Sequence, residues 1–376
     1  KPYYTAAICM TVCLEPLIYY LLMNRQSAGN LFSLDFMKIT RDYTLSLIIE
    51  VFNTWYRIWN DYIIKYKMFS LTKDNINLDL EYIKSMNKYK NNKITTNNLF
   101  SSYLAGLIEG DGCIMTPKTL RSKKGRLNYP SIQMAFNTKD IPLALFIQDR
   151  LGHGSVSKKK NTNACVLTIN NKEGILKLTN LINGYMRTPK YMKLVELIIW
   201  LNKNYNSNMT MLSTDTSLIS SNSWLSGFID ADGSFNIRHS QINDRFTTRV
   251  YMRLTQSKLD TWGVNKFSFM QSMANFLHTE VKYMERNRTK RFSKEYKMTT
   301  SSLKSNLTLM NYLDNYPTFS SKYLDYLDWK EVALLFNPRF KHTEDNIKTM
   351  VKNKKNMNNN RSYFNWNHLQ KFYAIN

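Results

Sequence analysis

One phrase of nine residues occurs twice in this chain, LAGLIEGDG over Leu104–Gly112 and LSGFIDADG over Leu225–Gly233, each preceded by an aromatic residue, Tyr103 or Trp224. The residues after each copy are also alike. An apolar strand-like run (Cys113 to Thr116; Ser234 to Arg238) leads to a basic hairpin tip (Arg121 to Arg126; Arg238 to Arg245). An alternating strand (Ser131 to Asn137; Arg249 to Gln256) and an amphipathic helix (Ile141 to Leu151; Asn265 to His278) come next. Two further strands and a closing helix complete each copy, and the closing helices share an entry turn, Arg187-TPKYMKL and Phe319-SSKYLDYL. Asp111 and Asp232 stand 121 residues apart, the length of one compact unit, so the chain reads as two related α+β units.

The flanks read differently. Tyr3 to Met23 is long enough to cross a bilayer, but Glu15 and Pro16 split it, which favours a buried helical hairpin or a remnant of an upstream reading frame. Leu45, Ile48, Phe52, Trp55, Trp59 and Tyr62 repeat at helical spacing within 31–67, and 84–99 is a polar, basic linker. The organisation expected is therefore a helical extension and linker (1–99), a first repeat (100–206), a linker (207–222), a second repeat (223–340) and a Lys/Asn-rich tail (341–376). Its part from about Lys341 to Asn360 is expected to be disordered or to track nucleic acid, and beyond it the aromatic segment Tyr363 to Tyr373 is able to dock on an unspecified surface.

Lys and Arg number 52 against 28 Asp and Glu, a net charge of +24, which demands a polyanion. Nucleic acid is the first candidate, and an anionic membrane surface would also satisfy the charge. The four cysteines (Cys9, Cys13, Cys113, Cys165) make neither a zinc pattern nor a disulfide framework, so a reducing compartment fits. His153, between two glycines, reads as a loop residue. Abundant Asn, Lys, Tyr and Ile with only 12 Gly and 8 Pro point to an A/T-rich genome, with a mitochondrial one as a plausible source. The chain opens on Lys, as a processed product would, and lacks the Arg- and Ser-rich start of an import peptide; synthesis inside the organelle is expected.

Within the repeated phrase, Gly106 and Gly110 share a helix face, as do Gly227 and Ala231. Small residues at that spacing let two helix backbones approach closely, which would deliver Asp111 and Asp232 together. Paired carboxylates serve divalent-metal chemistry, because Mg²⁺ takes few carboxylates and fills its shell with water and phosphate oxygens. Glu109 and Asp230 point elsewhere and are expected to be structural or capping.

These two motifs resemble the signature of the LAGLIDADG family of intron-encoded homing endonucleases and RNA maturases, and the resemblance covers about residues 100–337. It implies an α+β fold of two pseudo-symmetric αββαββα repeats whose antiparallel sheets form a saddle over a duplex, built as a monomer. It assigns Mg²⁺ or another divalent cation to Asp111 and Asp232. It places catalytic support on Lys190 and Lys322, in the TPK and SSK turns, and on a second-strand polar residue, Gln256, with Thr138 as a weaker counterpart. Base and phosphate contacts are expected from Lys118, Arg121, Lys123, Lys124, Arg126 and Gln133 in the first repeat. In the second they are expected from Arg238, His239, Gln241, Arg245, Arg249 and Arg253, since every second strand residue faces the groove.

The activity implied is sequence-specific double-strand DNA cleavage, assistance to group I intron RNA splicing, or both. Partners are then a DNA target, intron RNA and an auxiliary splicing protein, with no small-molecule substrate, in the mitochondrial matrix. A third expectation, from another class, is a cleavage-inactive RNA-binding subunit of a ribonucleoprotein.

Overall fold

The structure is a computed structural model, and it describes residues 96–242, 245–288, 291–335 and 343–372. The expected N-terminal hydrophobic segment, the helical stretch 31–67 and most of the basic linker lie outside the described residues.

Helix α1 (Thr96–Asp111) and helix α5 (Trp224–Asp232) carry the two motifs and pack against each other. Their approach is set by glycine: a Cβ on Gly106 would lie 2.0 Å from the Trp224 carbonyl oxygen, and one on Gly227 would lie 2.0 Å from that of Tyr103. One turn on, a Cβ at Gly110 would meet that of Ala231 at 2.2 Å. At the other end of the pair, the Ser102 and Ser223 hydroxyls meet at 2.8 Å, fully buried. Every one of these contacts joins residues about 121 apart in sequence, which is what a pseudo-twofold axis between the helices requires.

Each motif helix runs directly into a sheet. In the first repeat β1 (Gly112–Met115), β2 (Ser131–Asn137), β3 (Ser155–Lys158) and β4 (Ala164–Ile169) form an antiparallel sheet in the order β1-β2-β4-β3. In the second, β5 (Gly233–Ile242), β6 (Arg245–Ser257), β7 (Val281–Arg288) and β8 (Arg291–Thr300) repeat that order as β5-β6-β8-β7. The registers correspond: Gly112 pairs with Met134, and Gly233 with Leu254. Alternation gives each sheet one buried face; Ile132, Met134 and Phe136 in β2, and Val250, Met252 and Leu254 in β6, enter one continuous core with the motif helices.

Helix α2 (Ile141–Leu151) has Pro142 in its first turn and stops at Gly152, which takes the left-handed conformation that glycine tolerates (φ 70°). Its counterpart is α6 (Phe267–Phe276). After the strands each repeat has two helices, α3 (Lys172–Ile182) and α4 (Tyr191–Tyr205), then α7 (Leu303–Asn315) and α8 (Lys322–Leu335). That is one helix more than the expected αββαββα unit; the TPK and SSK turns open the second of each pair.

Two expectations need correction. The stretch Arg238 to Arg245 is not simply a hairpin tip, because β5 continues through Ile242 and β6 starts at Arg245. The tail is not disordered: Glu344–Asn356 forms helix α9, packed on α8 and β5, with Met350 and Asn353 buried. The Lys/Asn composition hid one anchor, Arg361, and the aromatic end supplies the docking expected of it. Arg361 pairs with Asp325 (3.0 Å) and Asp328 (2.5 Å) of α8. Phe372 is buried among the rings of Phe100, Tyr103, Phe146 and Phe319, so the aromatic end docks across both repeats.

Candidate metal and nucleic-acid site

The last carbonyls of a helix have no partner within it, and here a lysine from each entry turn supplies one. Lys190 Nζ donates to the carbonyl oxygens of Ile108 (2.8 Å), Gly110 (3.2 Å) and Gly112 (2.8 Å). Lys322 Nζ donates to those of Ile229 (3.2 Å), Asp230 (2.7 Å) and Ala231 (2.6 Å). Each ammonium thus seals the end of its motif helix beside the aspartates. Burial lowers both lysine pKa values, and the surrounding carboxylates, Asp111 and Asp232 among them, oppose that shift.

Glu109 and Asp230 anchor the same turns. Glu109 accepts from the Arg187 and Thr188 amides, the Thr188 hydroxyl and, from the other repeat, Trp224 Nε1 at 2.6 Å. Asp230 accepts from the Phe319 and Ser320 amides, the Ser320 hydroxyl and, across the axis, the Tyr103 hydroxyl at 2.7 Å. Burial raises both carboxyl pKa values, and these donors work against it.

Asp111 and Asp232 remain as the pair with no anchoring role. Burial and then the charge of Asp232 push the Asp111 carboxyl up to about 6, although its side chain still reaches solvent. Asp232 is half-buried and is also shifted upward by burial, against the hydrogen bond from Gln256 and the charges of Lys322, Lys190 and Lys266. Two like charges held together are relieved by a cation. Among the described residues no group of three or more His, Cys, Asp or Glu is placed to hold a metal. The candidate donors are these two carboxylates, and water and phosphate oxygens would have to complete the shell, which would suit a hard divalent ion.

Around this pair the repeats differ. Gln256 Nε2 donates to Asp232 Oδ2 at 2.6 Å, and Lys266 Nζ holds Gln256 Oε1 and the Ser257 hydroxyl, each at 3.1 Å. The register-equivalent of Gln256 is Phe136, since Met134 corresponds to Leu254. Thr138, the expected counterpart, lies beyond the strand in a 3-10 turn, Thr138–Asp140. At the position just before the following helix, Lys266 is replaced by Asp140, whose Oδ1 accepts from the Ser321 amide of the other repeat at 2.6 Å. Neither Lys266 nor Asp140 stood out in sequence; the signal available was their shared place immediately ahead of α6 and α2.

The solvent-facing sides of the sheets differ further. In the first, the strand residues on that side include Cys113, Met115, Gln133, Ala135, Asn137 and Thr168, none of them charged. In the second, register places Arg238, Arg249, Arg253, Lys282, Arg286 and Lys297 together, with Glu295 paired to Arg286 at 3.4 Å. Lys282 and Lys297 were missed because the β7–β8 pairing cannot be read from local pattern. Lys118, Arg121, Lys123, Lys124 and Arg126 are set around the first hairpin loop, where Arg121 donates to the Gly125 carbonyl at 2.8 Å.

The expectation for His239 needs correction. It falls at the alternation of buried Phe235 and Ile237, bonds Thr248 Oγ1 at 3.0 Å, and lies under α9 rather than on the basic face. Gln241 and Arg245 are placed in the ladder opposite Phe246 and Ile242.

The LAGLIDADG endonuclease family model matches residues 104–201 and 225–333. A relative from Saccharomyces cerevisiae, intron-encoded DNA endonuclease aI3, is 32% identical over 320 residues, covering 77% of each chain. Intron-encoded RNA maturase bI4 of the same organism is 32% identical over 184 residues, 45% of this chain and 25% of its own. Among solved structures, the I-SmaMI LAGLIDADG homing endonuclease bound to cleaved DNA aligns with a TM-score of 0.55 at 18% identity, over 69% of this chain and 97% of that one. This last likeness speaks to fold.

Proposed function

Because the chain belongs to the LAGLIDADG endonuclease family, we propose that it is an intron-encoded, Mg²⁺-dependent endonuclease that cuts both strands of a specific DNA site. The observation that carries this reading is the like-charged pair Asp111 and Asp232, which unlike Glu109 and Asp230 anchors neither entry turn, at the ends of two helices in glycine-mediated contact. When bound, a divalent ion would polarise the scissile phosphate and lower the pKa of an attacking water. The chain's own part is to hold the ion on Asp111 and Asp232 and to fix Asp232 through Gln256, itself set by Lys266. Lys190 and Lys322 place positive charge beside the pair, where it offsets charge on a bound phosphate chain. The basic face of the second sheet would take phosphates, while the first-repeat loop cations and Gln133 would bind the other half-site.

A second reading, RNA maturase action on the chain's own group I intron, is favoured by the bI4 likeness. It requires no Asp111 or Asp232 chemistry. Mitochondrial origin belongs to the same proposal, resting on composition and on the intron-encoded relatives.

The test is to incubate the protein with Mg²⁺ and a duplex joining the flanking exons, and separately with the intron-containing RNA. Asp111→Asn or Asp232→Asn should lower strand cutting at least about 10³-fold and leave DNA binding and any splicing assistance intact. Cutting by the double variant would refute the assignment.

A further inference from the structure

The segment from Lys354 to Asn360 lies at an unexpected place. It closes α9 and continues as a 3-10 turn, Asn358–Asn360, which opens at Asn358 with φ 59°. β5 is an edge strand, and the Asn358 side chain donates to the Phe235 carbonyl at 3.2 Å, so the turn is fastened along that edge. Its backbone is held from behind as well, by Asp325, which accepts from the Asn358 amide at 2.9 Å.

Two cavities meet at this turn. One, of about 250 Å³, is lined by Asp111, Asn137, Lys322 and Ser234 together with Asn358 and Asn359. The other, of about 280 Å³, is lined by Asn236, Lys354 and Asn358 to Asn360. The turn thus lines both the cavity that holds the metal-ligand candidate Asp111 and the one beside Asn236, and Ser234 and Asn236 are on the basic side of the second sheet by register. Asn359, Asn360 and Lys354 line these cavities and are exposed, and Lys355 is exposed beside Lys354. Nearby acids are already engaged: Asp325 and Asp328 by Arg361, and Glu331 by Asn353 at 2.7 Å. Of the other acids lining the first cavity, Asp230 is held by the Phe319–Ser320 turn and Asp140 by the Ser321 amide, and Asp111 is the metal-ligand candidate; the turn itself presents outward amide donors and ammonium groups, the chemistry that receives phosphate oxygens.

We infer that the Lys354–Asn360 turn is an additional contact for the sugar-phosphate backbone of duplex DNA, flanking the carboxylate pair from outside the two repeats. This rests on the DNA-cleavage reading above. The contact needs no particular sequence, so it extends binding across the edge of the second sheet and sets where the backbone passes Asp111.

The experiment measures affinity of the full chain for a mixed-sequence duplex across a salt series, without divalent ions. Asn359→Asp with Asn360→Asp, or Lys355→Ala, alters exposed side chains of the turn. Each variant should weaken binding about tenfold and reduce the slope of log affinity against log salt by about one. Asn311→Asp with Asn315→Asp, on exposed positions of α7, makes the same charge change and should have much less effect on either. Equal slopes for wild type and the turn variants would overturn the inference while leaving the endonuclease reading in place. Loss confined to structured RNA would also overturn it. A wild-type chain that fails to bind duplex at all would overturn both.

Discussion

The first and second repeats keep one set of residues in common and part company on another. Held in common are the glycines that let α1 and α5 touch, the Glu109 and Asp230 anchors, the Lys190 and Lys322 seals, and the aromatic donors Tyr103 and Trp224 that reach across the axis. Divergent are Phe136 against Gln256, Asp140 against Lys266, and an uncharged sheet face against a basic one. In the shared set Gly106, Gly227, Tyr103, Trp224, Glu109 and Asp230 meet the other repeat, so a change in one disturbs the other, while Lys190 and Lys322 each seal the motif helix of their own repeat. Within the divergent set, Gln256, Lys266 and the two sheet faces border the carboxylate pair or solvent, whereas Phe136 is in the core and Asp140 is buried against Ser321 of the other repeat. A duplicated fold can thus keep the anchors on its axis alike while its two sheet faces diverge, as two unlike half-sites of a DNA target would require.

The strongest way to break that comparison is to remove an anchor. Glu109→Ala or Asp230→Ala leaves several buried N–H and O–H donors unsatisfied and should cost about 3–5 kcal/mol in either repeat, measured by denaturant unfolding. A large cost in one and a negligible cost in the other would undo the symmetry. Next is Gln256→Ala, which frees Asp232 and Lys266; cleavage should slow about 10²-fold, with one strand lagging, as seen in a nicked intermediate. Phe136→Ala, at the equivalent register, should leave no such strand bias. The smallest effect sharpens the contrast between faces: Arg253→Ala should lower the salt slope of DNA binding by about one, and Gln133→Ala should leave it unchanged while relaxing base preference.

The legibility of these features in sequence depends on where their determinants lie. Asp111, Asp232 and the TPK and SSK turns could be found because they recur in fixed local phrases. The second strand of the first repeat could be read from alternation, and Ser131–Asn137 emerged with the expected bounds. Lys266, Lys282, Lys297 and Asp140 could not, because each is placed by pairing or packing between distant segments. His239 was misjudged since β5 is longer than its apolar run, and alternation counted from Phe235 turns that ring inward. The tail was misjudged for a compositional reason. Lys and Asn dominate its helical part, and the residues that fix it there, Met350 and Arg361, are too sparse to register as a pattern, whereas the aromatic end around Phe372 docks as its composition suggested.

The central claim is that Asp111 and Asp232 act as a single ion site, and a double-substitution cycle on divalent binding tests it most directly. Calorimetric titration of Mg²⁺ or Mn²⁺ into the DNA-bound wild type, Asp111→Asn, Asp232→Asn and the double variant gives the coupling. Because the Asp111 carboxyl is held at about 6, protons compete with the ion, so wild-type affinity should rise as pH increases through that value and then level off. By the same shift, this group stabilises the ion-free fold at low pH and ceases to as pH rises through about 6. A shared site predicts that either single substitution removes about as much affinity as both together. Losses that simply add would contradict it.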